Sequence, residues 1–193
     1  MPTIKIIGLT GEPGAGKDIV SNYLVAKHGA INYRFSSILK SILDCLYLPQ
    51  NRPNLSNLAV ALRHKFGNAI LADVLKRSIL NDHPGLVVIN GIRYIEEFQA
   101  FKNLTTEKNE SAHISFSLWY ITTDPEVRYA RLKTRGEKDN ETNLSWDEFV
   151  KENQLETEMW IKTIAKEANF IIRNDFALEA IYAQIDKNMK KLL

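Results

Sequence analysis

The stretch Gly11-Glu12-Pro13-Gly14-Ala15-Gly16-Lys17 has the spacing G-x-x-x-x-G-K, that of a phosphate-binding loop. A glycine-rich turn lets successive backbone N–H groups converge on phosphate oxygens. A helix starting directly after it aims its positive end at the same oxygens. Lys17 then reaches the β- and γ-phosphates of a nucleoside triphosphate. Position 18 departs from the motif: it is Asp, where a Ser or Thr hydroxyl ordinarily ligates Mg2+. Asp18 can bind the metal itself, directly or through water. It can instead be a charge that merely favours the helix dipole, or the mark of a chain that has lost catalysis. The competing reading of the whole stretch is a structural glycine turn.

Arginines supply the second chemical pattern. Arg128, Arg131 and Arg135 recur at i, i+3 and i+7 after Asp124-Pro125, a spacing that puts them on one helical face. Phosphoryl transfer leaves a protein little covalent work and depends on positioned cations. The row runs into a polar stretch at 137–143, as suits a lid closing over nucleotide. By itself it reads as a solvated face paired with Glu126, Glu137 and Asp139; after a phosphate loop it reads as part of a transfer site. Arg93 follows the apolar run 86–89 in Asn90-Gly91-Ile92-Arg93. Ligands of open α/β sheets bind beyond strand carboxyl ends, where a guanidinium can fork onto an acceptor phosphate. Asn90 stands where many nucleotide-binding proteins carry aspartate, and its amide has no charge with which to hold Mg2+. Arg34 and Arg63 are further acceptor candidates, with a surface or core-edge role as the alternative.

The elements that must position these residues follow from periodicity and turn chemistry. The run 4–9 predicts a buried strand and 19–27 a helix stopped by Gly29. A strand at 31–35 leads to Ser36-Ser37, which can cap a helix with the apolar face Ile38, Leu39, Ile42, Leu43 and Leu46, ending near Pro49. Helical patterns at 55–66 and 70–80 are divided by Gly67-Asn68, and 86–89 reads as a central strand buried on both faces. A strand at 116–121 precedes Asp124-Pro125, a helix start. Ser145 and Glu148 form a capping box for a helix running to about Lys166. A short strand at 170–172 and a helix carrying Leu178, Ile181, Tyr182, Ile185 and Met189 close the chain. Five apolar runs alternating with helices imply an α/β, three-layer fold of about five parallel strands with helices on both faces.

Composition bounds the partner. In 193 residues, 25 Lys and Arg stand against 23 Asp and Glu, a balance that argues against a polyanion such as nucleic acid and against an anionic membrane. The chain begins MPTIKIIGLT and has no run of 18 apolar residues, so the expectation is a cytoplasmic protein without a membrane partner. The single cysteine, Cys45, sits in an apolar run and reads as a buried, inert thiol in a reducing compartment.

The segments GLTGEPGAGKD, VVINGIRYIEEFQAFK, DPEVRYARLKTRGEKD and ANFIIRND together resemble P-loop nucleotide kinases of the adenylate kinase and dephospho-CoA kinase type, including archaeal adenylate-kinase-related proteins. The G-K-D triplet is similar to that of phage deoxynucleoside monophosphate kinases and of phosphomevalonate kinases; the phage enzymes follow it with Thr, whereas this chain has Ile19. The resemblance implies one P-loop kinase domain over 1–193, with 50–82 as a helical insertion on the acceptor side and 128–145 as a small lid. It implies ATP on Gly11, Glu12, Pro13, Gly14, Ala15, Gly16, Lys17, Asp18 and Ile19, with Arg128, Arg131 and Asn174 also against the nucleotide and 174–176 near the adenine. Mg2+ would sit at Asp18, the acceptor at Arg34, Arg63 and Arg93, and Lys17, Arg93, Arg131 and Arg135 would assist transfer. Dephospho-CoA kinases place an Asp just after the second strand, where this sequence has Phe35-Ser36-Ser37. A hydroxyl acceptor needs such a base and a phosphate acceptor does not, unless Asp18 serves as base. The expectation is therefore transfer of the γ-phosphoryl of ATP to a nucleoside or deoxynucleoside monophosphate. A dephospho-CoA-kinase-like enzyme and a non-kinase ATP-binding regulatory or assembly ATPase are the alternatives.

Overall fold

A computed structural model describes residues 3–106, 112–135, 145–152, 156–175 and 177–192. Five parallel strands form one sheet: β1 (Thr3–Thr10), β2 (Ile31–Arg34), β3 (Leu86–Asn90), β4 (His113–Thr122) and β5 (Phe170–Arg173), in the order β2-β3-β1-β4-β5. Side chains alternate across a strand, and here both alternations are apolar. Ile4, Ile6, Val87, Ile89 and Leu118 enter one core layer, whereas Ile7, Leu9, Val88, Trp119 and Ile121 enter the other. A sheet apolar on both faces needs cover on both, which parallel connections through helices supply.

The second layer is covered by α1 (Lys17–His28) and α9 (Leu178–Leu192), through Val20, Leu24, Ile181, Ile185 and Met189. These two helices are also pinned to each other: Tyr23 stacks on Tyr182 at 4.0 Å, and the Tyr23 hydroxyl donates to Asp186, which His28 also meets at 2.9 Å. The first layer is covered by α2 (Phe35–Cys45), α3 (Arg52–Phe66), α4 (Ile70–Asp82), α5 (Ile95–Asn103) and α8 (Glu156–Ala165). A small third cluster joins α6 (Pro125–Arg135) to α7 (Trp146–Glu152) through Leu132, Tyr129 and Phe149. The three-layer arrangement expected from the alternation of elements is the one found. Among the described residues no helix is long and apolar enough to cross a membrane.

Several local expectations are corrected. Helix α2 begins at Phe35 with Arg34 as N-cap and no side-chain cap, so Ser36 and Ser37 lie in its first turn rather than before it. Its buried face is Phe35, Leu39 and Leu43; Cys45, two residues on, falls on the opposite side and is exposed. Leu46 lies past the helix end and is 56% exposed. Helix α3 starts three residues early because the Asn51 side chain accepts the Asn54 N–H at 3.0 Å. Ser145 and Glu148 do form a capping box; beyond it the described helical residues are α7 to Glu152 and α8 from Glu156, with 153–155 outside the described residues. Of the proposed lid, 136–144 lies outside the described residues, as do 107–111 before β4.

Strand β1 ends at the centre of the sheet, flanked by β3 and β4, with Leu9 in register with Asn90 and Thr10 with Tyr120. The same level of the sheet places Arg34 opposite Asn90. Gly8 permits this packing: a Cβ there would lie 2.6 Å from Ile92 Cδ1 and 2.9 Å from the Phe116 ring. Gly8→Val should therefore lower the unfolding free energy by about 1–3 kcal/mol through overpacking, read as a lower denaturant midpoint at unchanged slope; an unchanged midpoint contradicts this account of the strand.

Candidate functional site

From Thr10 the chain turns through the glycine loop into α1. Gly11 approaches the Ile121 carbonyl of β4 too closely for any side chain, and Gly16 is held at φ 93° against the Asn174 amide. That amide donates to the Ala15 carbonyl at 2.7 Å, and Ala15 N–H bonds back to the Glu12 carbonyl at 3.1 Å. The loop is thus tied to β4 and to the residue following β5. Gly16 is the N-cap of α1 and offers no side-chain cap, so no capping side chain competes with an anion at this helix N-terminus. Lys17 Nζ folds over the loop onto the carbonyls of Gly11 at 2.6 Å and Glu12 at 3.1 Å. Ile19 lies partly buried in the same turn. Glu12, 7% exposed, accepts the Tyr120 hydroxyl on both carboxylate oxygens at 3.0 and 3.1 Å. Burial, with Glu12 adding to it, holds the Tyr120 phenol above its ordinary range, so it stays a donor.

Asp18 faces the sheet end. Its Oδ1 accepts Asn90 Nδ2 at 2.8 Å and lies 3.0 Å from Arg34 Nη2. Asn90 also reaches Ser21 Oγ at 3.4 Å, and Asn32 Nδ2 reaches the same hydroxyl at 3.5 Å. Arg34 and Asn90 are therefore neighbours in register that share one carboxylate on α1. The side chain of Asp18 is 63% exposed, and among the described residues its Oδ2 makes no hydrogen bond. That oxygen suits a hard cation. Among the described residues no group of three or more His, Cys, Asp or Glu forms a protein cage for a metal. The donor set is the kind that holds Mg2+ through a carboxylate together with ligand phosphates and water.

The turn after β3 carries Arg93, whose side chain is exposed. Glu97, 1% exposed, fixes that turn by accepting the Arg93 and Tyr94 N–H groups at 3.0 and 3.3 Å, and it pairs with Arg63 at 2.9 Å. Arg63 also stacks over the Tyr94 ring at 4.4 Å. Burial pushes the Glu97 carboxyl up, against the pull of Arg93 N–H and Arg63. So Arg63 is joined to the Arg93 turn through one buried carboxylate, linking α3 to α5. Arg128 is 7% exposed, points its guanidinium toward the Pro13 carbonyl at 3.5 Å and lies over Phe149 at 5.2 Å. Arg131 donates to the Asn174 carbonyl at 2.9 Å, with Nη1 buried and unpartnered among the described residues. Arg128 and Arg131 thus share a face, as their spacing predicts: Arg128 meets the phosphate loop at Pro13, and Arg131 meets Asn174, which ties that loop to β5. The side chain of Arg135 and all of Phe176 lie outside the described residues.

A family model described as AAA domain matches residues 7–160. The chain is 30% identical over 198 residues to UPF0200 protein MJ1399 of Methanocaldococcus jannaschii, covering 97% of this chain and 90% of that one. The chain belongs to the AAA domain family and to the UPF0200 proteins. Shikimate kinase from Bacteroides thetaiotaomicron superposes on this UPF0200 family member with a TM-score of 0.58 at 14% identity, 97% of each chain being covered. Shikimate kinase from Aquifex aeolicus does so with 0.57 at 17% identity, again over 97% of both. These likenesses show the fold of this family member to be a P-loop kinase-like one.

Glu97, Tyr120, Ser21 and Asn32 escaped the sequence reading, because nothing in their spacing signals a partner many positions away. Asp175 also lies here: it accepts the Thr123 hydroxyl and Asp124 N–H and meets Arg173, tying β5 to the start of α6. The Thr123 bond first, then Asp124 N–H and Arg173, hold its carboxyl below the usual range despite partial burial. A carboxylate depressed in the folded state contributes stability above its unfolded pKa, about 3.9, and loses it as pH falls through the folded value. Asp175→Asn should flatten this acid-side loss in a plot of unfolding free energy against pH below about 4; an unaltered slope would show that the tie carries no linkage.

Proposed function

We propose that this UPF0200 family protein is an ATP-dependent phosphotransferase that moves the γ-phosphoryl group of ATP onto the phosphate of a nucleoside or deoxynucleoside monophosphate. The observation that carries the choice of acceptor is the exit from β2: Arg34 runs straight into α2, and the residues at that exit are Phe35, Ser36 and Ser37, with no carboxylate among them. A hydroxyl acceptor needs a base there. A phosphate monoester, with a second pKa of about 6, is largely dianionic near neutral pH and needs none. Its oxygen attacks Pγ, the bond from Pγ to the β,γ-bridging oxygen breaks, and ADP leaves with no proton to be removed.

Each group in the site has work in this reading. The uncapped N-terminus of α1 and the glycine loop hold the ATP phosphates, and Lys17 swings from the Gly11 carbonyl to the β- and γ-phosphates. Asp18 would hold Mg2+, which would supply positive charge beside the nucleotide phosphates. Arg34, 41% exposed, and the exposed Arg93 receive the acceptor phosphate from the carboxyl ends of β2 and β3. Arg63, through Glu97, holds the Arg93 turn and closes the acceptor side, so that 50–82 serves as the acceptor insertion. Arg128 and Arg131 support the loop beside the nucleotide, and with Arg135 they belong to the lid at 128–145. A net charge of +2 and local clustering of cations fit a small anionic substrate in the cytoplasm rather than a polyanion or a membrane.

ADP production should appear when ATP and Mg2+ are offered with one or more of the common ribo- or deoxyribonucleoside monophosphates, each giving its diphosphate. Lys17→Ala should lower kcat by about 10²–10³ while leaving the unfolding curve unchanged. ADP release with dephospho-CoA alone would replace the acceptor. ATP binding without transfer to any acceptor would overturn the kinase reading, and full turnover in Lys17→Ala would overturn the donor site.

A further inference from the structure

Two departures from the common nucleotide-site pattern meet in space. Position 18, where a hydroxyl is usual, carries a carboxylate, and position 90, where a carboxylate is usual, carries an amide; Asn90 Nδ2 donates to Asp18 Oδ1 at 2.8 Å. An ionised carboxylate only accepts, so the amide must present its nitrogen, and the polarity of this bond is fixed by the residue types. A hydroxyl at 18 facing a carboxylate at 90 would span the same gap with donor and acceptor exchanged. The number of carboxylates stays at one.

We infer that positions 18 and 90 are a charge-exchanged pair, in which the carboxylate that serves Mg2+ beside the nucleotide is carried by α1 at Asp18 and is oriented by the amide of β3 at Asn90. The inference rests on the donor-site reading above. Three observations support it. Asn90 and Arg34 both address Oδ1, which saturates one oxygen and leaves the other, Oδ2, without a hydrogen bond among the described residues, on a side chain that is 63% exposed. Arg34 is the register partner of Asn90 on the neighbouring strand, so its guanidinium lies beside position 90 as well as position 18 and can neutralise a carboxylate at either. Two carboxylates at hydrogen-bonding distance would repel, forcing one to take up a proton; Asp at 18 is therefore compatible with Asn at 90 and not with Asp. Each departure compensates the other, and Asn90 is a positioning residue for the carboxylate rather than a ligand.

The test compares wild type, Asp18→Asn, Asn90→Asp and the double exchange for ATP and ADP affinity with and without Mg2+, and for Tm without nucleotide. The wild-type chain should bind nucleotide more tightly with Mg2+. In Asp18→Asn the ratio of affinities with and without the metal should fall to about 1, as expected when the carboxylate ligand is lost, while metal-free binding is retained. Asn90→Asp should lower Tm by roughly 2–4 °C. The double exchange, which moves the carboxylate to 90 and the amide to 18, should regain both the metal response and Tm. Asp18→Ser paired with Asn90→Asp should regain the metal response too. An Asp18→Asn variant with the wild-type metal response overturns the inference. So does a folded double exchange that responds to Mg2+ no better than Asp18→Asn. A wild-type chain that binds no nucleotide overturns the donor-site reading and this inference with it, whereas binding with a metal response but no transfer overturns only the kinase reading.

Discussion

The turn from β1 into α1 leaves no room for a side chain at Gly16, because the Asn174 amide occupies that space while donating to the Ala15 carbonyl. A loop whose carbonyls are tied down by neighbouring elements presents its N–H groups outward, and only then does a helix N-terminus become a phosphate cradle. The other parts of the site inherit their places from this tie. Asn174 follows β5, its N–H donates to the Thr122 carbonyl at the end of β4, and Arg131 donates to its carbonyl from α6. One residue thus joins the phosphate loop, the sheet and the helix that begins the proposed lid.

Charge is organised around two carboxylates of opposite character. Asp18 is exposed and shared between a guanidinium and an amide, so a cation can approach it without stripping a buried ion of water. Glu97 is buried and fully engaged, by Arg63 and by two backbone N–H groups. Removing one partner of such a buried pair leaves the other uncompensated, which makes it a structural anchor for the turn bearing Arg93. The two arginines that receive the acceptor phosphate in the proposal, Arg34 and Arg93, are both set by these carboxylates: the first through its side chain, the second through its backbone.

The fold was legible in the sequence because a parallel sheet covered on both faces leaves near-continuous apolar strands, as at Leu86, Val87, Val88 and Ile89, alternating with helix signals such as Gly29 and Asp124-Pro125. The phosphate loop was legible because its chemistry is local. What stayed hidden depends on register. That Arg34 lies opposite Asn90 and both meet Asp18 follows from β2 pairing with β3, which no spacing in the chain encodes. The same holds for Tyr120 on Glu12 and Arg63 on Glu97. Cys45 misled for the opposite reason: its neighbours in sequence are apolar, but a helix buries one face, and Cys45 is on the other.

The central claim is that the first turn of α1 and its glycine loop bind the phosphates of ATP. The most direct measurement is an amide NMR titration of the wild-type chain with ATP and Mg2+. The account predicts the largest shifts at Gly14, Ala15, Gly16, Lys17 and Asp18, saturating together, with Asn174 following them. Saturable binding whose shifts fall elsewhere and leave these five amides unmoved would contradict it.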